Sequence, residues 1–355
     1  MNSNPSSVQQ FIFQLRSLLS FNKVNVPWHW GLLAALAVGL PMLFGAHFGH
    51  FDSSVLAALG GMVILYMPNT GILHRMTVLA VCSFGFSVCF TLGLTASLFP
   101  FLSPLILSIV TLLITIICRL YRVPPPGSFF FILITCIATV VPFQAEQLPA
   151  QIGVVTIGGM VACLLALIYG LLVGTHPAKT SVTPDEKHMA AIFLEAAVIA
   201  IFVGLSMLTA QLLQLHNAYW VPISCAAILQ GATFRMIWHR NIHRIVGTVI
   251  GMFLAWGIFS LPLTPLQLAL LAMLIQFMIE SLVPRNYGLA VIFITPITVI
   301  FAEAGSLGTN PDNLITVRMI DILLGSVIGF IGGWVIHQTT LFTRLENKLK
   351  QHWKH

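Results

Sequence analysis

Apolar residues in this chain run in long blocks broken by short polar punctuation. Twelve blocks can be marked, at residues 30–46, 54–67, 76–97, 101–118, 127–143, 150–174, 189–214, 218–233, 242–261, 264–282, 287–302 and 314–338. A helix needs about 20 apolar residues to cross about 30 Å of hydrocarbon. The pattern therefore predicts an all-α, polytopic membrane protein with about twelve transmembrane helices. One hydrophilic stretch of some length, His176 to Lys187, divides the blocks into two sets of six. The expected organisation is an N-terminal interfacial segment (1–29), a first six-helix repeat (30–175), a cytoplasmic linker (176–188), a second six-helix repeat (189–338) and a basic cytoplasmic tail (339–355). In the first of these, Phe11, Phe13, Leu15, Leu18 and Leu19 interleave with polar residues, as in a helix lying on a membrane surface.

Charge adds an orientation. The chain has 16 Lys and Arg residues, and every one except Arg318 falls in alternate loops or the two tails. The intervening loops hold Asp52, Glu146, Glu303 and Asp312 and no basic residue. Basic loops stay on the cytoplasmic side, so both termini are expected in the cytoplasm. With 57% apolar and 7% charged residues, the composition excludes an ordinary soluble domain. The excess of positive charge needs no nucleic acid partner, because it faces anionic lipid head groups. The six cysteines show no CxxC pair or Cys/His metal spacing, so neither a disulfide framework, a metal site nor a cofactor is indicated.

The two sets of six read as a diverged duplication. Residues 131–137 (FILITCI) and 291–297 (VIFITPI) lie in the fifth block of each set and share Ile, Ile, Thr and Ile at constant offset, which pairs Thr135 with Thr295. Six blocks per set give repeats of the same orientation, related by an axis along the membrane normal. Pro296 marks the second member as a helix open to interruption. Glycines one turn apart, Gly247 and Gly251 in the ninth block and Gly325, Gly329 and Gly333 in the twelfth, predict close helix packing.

Ionisable groups inside the blocks are expensive, at about 2.5–3.5 kcal/mol or more on insertion scales, and they point to function. Arg318 and Asp321 are three apart and share a helix face. They suit an outward-side anion contact with Asp321 as a proton carrier, or an ion pair that merely offsets its own burial. Glu195, about two turns into the seventh block, is a second candidate for proton coupling, or else a partner for Arg244 or His243. Tyr219, Trp220, Pro222 and Gln230 place an aromatic pair, a helix-distorting proline and an uncharged polar group along the short eighth block. The aromatic pair fits either an interfacial belt or a stack for an aromatic ligand.

Residues 219–224 (YWVPIS) and 228–230 (ILQ), followed by Arg244-Ile245-Val246-Gly247-Thr248-Val249-Ile250-Gly251, resemble the fusaric-acid-resistance (FUSC) family, whose relatives include aromatic acid exporters. Arg318, Asp321 and Gly325 also look like the start of that family's last membrane helix. The resemblance implies efflux of small organic, often aromatic, acids across the bacterial inner membrane. Some relatives work with a periplasmic adaptor protein, and a homo-oligomer is compatible with the pattern. Carried over, it nominates Tyr219, Trp220, Gln230, Arg244, Gly247, Thr248, Gly251, Arg318 and Asp321. Tyr219, Trp220, Gln230, Arg244 and Arg318 are the expected substrate contacts, joined by Thr135 and Thr295 from the matched segments of the duplication. Asp321 and Glu195 are the proton-coupling candidates, and Gly247, Gly251, Gly325 and Gly329 the packing residues. The expected function is export of small organic anions coupled to the proton gradient. A passive organic-anion channel and a non-transporting membrane assembly protein are the alternatives. No nucleophile–base spacing indicates an enzyme, and no Walker motif indicates direct use of ATP.

Overall fold

The computed structural model describes residue 24 and residues 27–173, 189–231, 233–303 and 311–338, with backbone alone at 302–303 and 311–317. The expected surface segment at 1–23, the linker at 176–188 and the tail at 339–355 lie outside the described residues. So does the side chain of each acidic residue in the loop from Glu303 to Asp312.

Among the described residues there are twelve α-helices and no strand. They are α1 (Trp28–Phe48), α2 (Phe51–Gly61), α3 (Ile72–Ser97), α4 (Ser103–Leu120), α5 (Phe129–Ala138), α6 (Leu148–Val173), α7 (Met189–Leu212), α8 (Trp220–Leu229), α9 (Phe234–Phe259), α10 (Pro265–Leu282), α11 (Tyr287–Glu303) and α12 (Pro311–Ile336). A 3₁₀ turn, Met62–Tyr66, extends α2. Eight of the helices are long and apolar enough to cross a membrane. The four shorter apolar helices are α2, α5, α8 and α11.

Local sequence explains several boundaries. Thr264 caps α10 by accepting from the Gln267 N–H while the Gln267 side chain returns to the Thr264 N–H, and Pro265 opens the first turn. The Thr233 hydroxyl accepts from the Met236 N–H at the start of α9. Pro222 lies in the first turn of α8, where an N–H has no intrahelical partner in any case. It therefore starts that helix and does not distort it. Pro296 likewise leaves α11 continuous from Tyr287 to Glu303. The interruption expected in the second of the matched segments is found in the first, where α5 stops at Ala138 and the chain turns through 139–147.

Burial separates the helices into two classes. Every residue of α8 from Trp220 to Leu229 is buried, and most of α5 is buried too. The long helices instead turn large apolar side chains outward, among them Phe84, Leu171 and Phe253. Such faces suit lipid, which satisfies no backbone group and gives no hydrophobic reward for helix association. Tight packing must then hold the helices together.

Glycine permits it. A Cβ on Gly158 of α6 would overlap the carbonyl oxygen of Ala57 on α2, and one on Gly325 of α12 would overlap that of Val221 on α8. The pairings continue in the same manner. Helix α3 lies on α5 and α9 on α11, α1 lies on α6 and α7 on α12, and α3 also touches α6 as α9 touches α12. Between the two groups, α4 packs on α7 and α10 on α1, while the short α5 and α8 meet inside.

Replacing Gly158 by Ala is expected to lower stability by about 1–3 kcal/mol, because backbone must move. Gly153→Ala on the same helix, where an added Cβ meets nothing within 4 Å, should be neutral or stabilising by up to about 1 kcal/mol. Thermal melts of both variants in detergent check the contrast.

Candidate functional site

Polar side chains inside the second group of helices gather around α8. Three helices supply them. Helix α9 brings Arg244 to the buried Ser224 of α8, with Nη2 donating to the Ser224 Oγ at 3.1 Å. Helix α12 brings Arg318 over the ring of Trp220, with its Cζ 3.1 Å from the ring centroid. Helix α11 contributes Thr298, whose hydroxyl accepts from Arg318 Nη2 at 2.6 Å.

The two arginines stand at different depths. Gly325 faces Ser224, and it lies seven residues beyond Arg318 on α12. At 1.5 Å of rise per residue, the Ser224 level is about 10 Å from the Arg318 level along the helix axis. Tyr219 and Trp220 lie at the Arg318 end, with ring centroids 4.9 Å apart. Both rings are buried, so they form no interfacial belt.

Asp321 completes this arrangement. It is 0% exposed, and neither carboxylate oxygen has a hydrogen-bond partner among the described residues. Arg318 shares its helix face but turns its guanidinium toward Thr298 and Trp220. A buried carboxylate lacking hydrogen bonds is costly. Arg244 is 8% exposed and its Nε has no hydrogen-bond partner among the described residues. A guanidinium stacked on an indole gains from the ring's negative face.

The other sequence candidates fall elsewhere. Thr135 and Thr295 are both buried, but their hydroxyls donate within their own helices, to Phe131 O at 2.9 Å and Val291 O at 3.0 Å. Thr298, one turn beyond Thr295, is the threonine that meets an arginine. Its position was readable only as a second hydroxyl on the same helix face. Gln230 ends α8 beside Gly127, whose carbonyl accepts from the Tyr66 hydroxyl at 2.7 Å. Glu195 on α7 forms a salt bridge with Arg119 of α4, not with Arg244 or His243. Arg119 is 40% exposed, so the pair is worth about 0–1 kcal/mol.

The glycines expected to pack do so. A Cβ on Gly247 would come 2.9 Å from the Gly288 carbonyl oxygen, and one on Gly251 would come 2.6 Å from that of Ile292. Pro296, four residues after Ile292, has no N–H to give that carbonyl, so α9 approaches an oxygen that α11 leaves unused. Gly329 similarly faces Cys225 of α8.

Thr298→Val is expected to lower stability by about 1–3 kcal/mol, because it removes the acceptor of a buried charged donor. Thr295→Val, which loses only a bond within its own helix, should cost less than about 1 kcal/mol. Melting both variants in detergent distinguishes the two threonines.

Residues 202–332, from α7 to α12, match the family model described as fusaric acid resistance protein-like. The uncharacterized membrane protein YvaC of Bacillus subtilis (strain 168) is 36% identical over 116 residues, which is 33% of this chain. That match spans 18% of YvaC. No solved structure matches the chain. The helices that build the Arg244–Arg318 cluster are therefore similar to the fusaric acid resistance protein-like membrane proteins.

Proposed function

We propose that the protein exports small organic anions, aromatic carboxylic acids in particular, across the bacterial inner membrane. The observation that carries this reading is Arg318 seated on the Trp220 ring, with the buried carboxylate of Asp321 one turn away. A carboxylate has a guanidinium to meet, and an aromatic ring has Tyr219 and Trp220 to stack on. The match of residues 202–332 to the fusaric acid resistance protein-like family model supports the same reading.

The proposed path runs from Arg244 to Arg318. Basic residues near the inner mouth, including Arg235 and Arg240, raise the local concentration of anions. Arg244 receives the carboxylate first, and the substrate then moves about 10 Å outward to the Arg318 level. An inside-negative potential favours outward transfer of an anion by about 2.3 kcal/mol per charge per 100 mV for the full crossing, of which this step takes a part. A proton-coupled cycle also needs a group that binds a proton on the return limb. Asp321 is buried beside the outer arginine, where such a group has to sit.

The reading includes twelve membrane segments arranged as two six-helix repeats, with cytoplasmic termini and an axis along the membrane normal. Its support is the recurrence of helix pairs. Short helices occupy the second and fifth places of each set, and α2 on α6, α3 on α5 and α1 on α6 recur as α8 on α12, α9 on α11 and α7 on α12. Contacts between the sets also exchange, with α4 on α7 matched by α10 on α1.

Purified protein in liposomes, assayed with a panel of aromatic and aliphatic acids, tests the function. Flux is expected for aromatic acids, faster with acid on the receiving side and abolished by a protonophore. Arg318→Ala should reduce it about 10–100-fold, the loss expected for one charged hydrogen-bonding partner. Flux that ignores the protonophore and follows the anion's electrochemical potential would establish a channel instead. Absence of flux for every acid would overturn both.

A further inference from the structure

Away from the α8 cluster, a second buried arginine lies where helices α1, α3 and α6 end together. Arg75, in the first turn of α3, is 2% exposed. Its Nε donates to Pro68 O at 3.3 Å and its Nη2 to Thr70 O at 3.4 Å, both at the long end for hydrogen bonds. Tyr169 of α6 sets its ring 5.7 Å from the Arg75 Cζ, and its hydroxyl meets His29 Nδ1 of α1 at 2.8 Å. Arg75 Nη1 and the Thr70 hydroxyl are both buried without a hydrogen-bond partner among the described residues. No described carboxylate pairs with Arg75; the one salt bridge among the described residues joins Arg119 to Glu195.

Packing alone does not call for a charge at this place. Ile237 holds the corresponding position in α9, the fourth residue of that helix as Arg75 is of α3. Each side chain faces a glycine on a later helix, Gly170 of α6 for Arg75 and Gly333 of α12 for Ile237. In one set of helices an isoleucine fills the space, and in the other a guanidinium does. The local field also favours an anion. Gly71 begins α3 with no side-chain cap, so the orphan N–H groups and the positive end of the helix dipole lie beside Arg75.

We propose that Arg75, Thr70 and the uncapped start of α3 form a binding site for a phosphate-class oxyanion, supplied by the headgroup of an anionic phospholipid. The rim identifies the source. Leu73, Leu171 and Leu172 are strongly exposed around these helix ends, and Trp28 is 68% exposed at the start of α1, the place of an interfacial aromatic. Chains of a lipid lie along such leucines while its phosphate reaches the helix ends. The guanidinium matches phosphate geometry through paired N–H donors. Entry requires the turn at Pro68–Thr70 to lift, which breaks the two long carbonyl contacts of the Arg75 side chain and leaves the Arg75 N–H bonded to Gly71 O at 3.0 Å. Asn69 in that turn and Gly71 after it are exposed, and an added Cβ on Gly71 would meet nothing within 4 Å.

The test uses the full chain purified in detergent and stripped of lipid. Thermal melts and native mass spectrometry are run with phosphatidylglycerol, phosphatidylcholine or inorganic phosphate. Phosphatidylglycerol is expected to raise the wild-type Tm by about 3 °C or more and to remain bound in the spectrum. Phosphatidylcholine should give no such shift. Arg75→Ile, which copies the residue at 237, should melt normally without lipid and lose the phosphatidylglycerol shift and the retained lipid. A shift given by inorganic phosphate alone, and lost in Arg75→Ile, would uphold the oxyanion site and move its source from lipid to solution. An unchanged phosphatidylglycerol response in Arg75→Ile, or an equal response to phosphatidylcholine, would overturn the proposal. Should Arg75→Ile fail to fold, Thr70→Val decides. A reduced shift supports the site and an undiminished one overturns it.

Discussion

Without a Cβ at Gly325 and Gly329, α12 can lie against the backbone of α8, and the level at which the two helices meet sets the rest of the interior. Trp220 then falls beneath Arg318, and Ser224 falls at the depth that Arg244 reaches from α9. Lipid offers helices no hydrophobic reward for associating, so close backbone approach is what keeps α8 in place. A side chain at either glycine would push α8 outward and separate the indole from the guanidinium. The chemistry of the cluster therefore depends on two residues that take no part in it.

The same contact explains how two arginines are tolerated inside the protein. Neither is stabilised by a hydrogen bond to a described carboxylate. Arg244 leans on one serine hydroxyl, and Arg318 on a threonine hydroxyl and an aromatic face. These named partners are neutral. Asp321, one turn from Arg318 on α12, is buried with no hydrogen-bond partner for either carboxylate oxygen among the described residues.

Much of this was readable in the chain, for reasons that separate composition from contact. Apolar blocks locate helices because a segment facing lipid has no cheaper way to satisfy its backbone. The block at 76–97 is α3, and that at 264–282 is α10. Blocks 127–143 and 218–233 look similar in hydropathy, yet their helices cover only Phe129–Ala138 and Trp220–Leu229. Burial inside protein permits irregular backbone there, and hydropathy does not distinguish protein surroundings from lipid. Arg318, Asp321 and Trp220 stood out singly because each is costly or bulky where it lies. Their partners did not. Thr298 and Thr295 differ by one turn on one helix, and only the approach of α12 decides between them. Glu195 meets Arg119 because α4 packs on α7, a contact spanning the two sets of helices that no local pattern encodes.

Helices α5 and α8 each contain 10 residues. At 1.5 Å per residue they extend about 15 Å, half the thickness of the hydrocarbon layer. Neither is long enough to cross that layer alone. Protein around them shields their ends, so the backbone groups that a short helix leaves unpaired need not meet hydrocarbon.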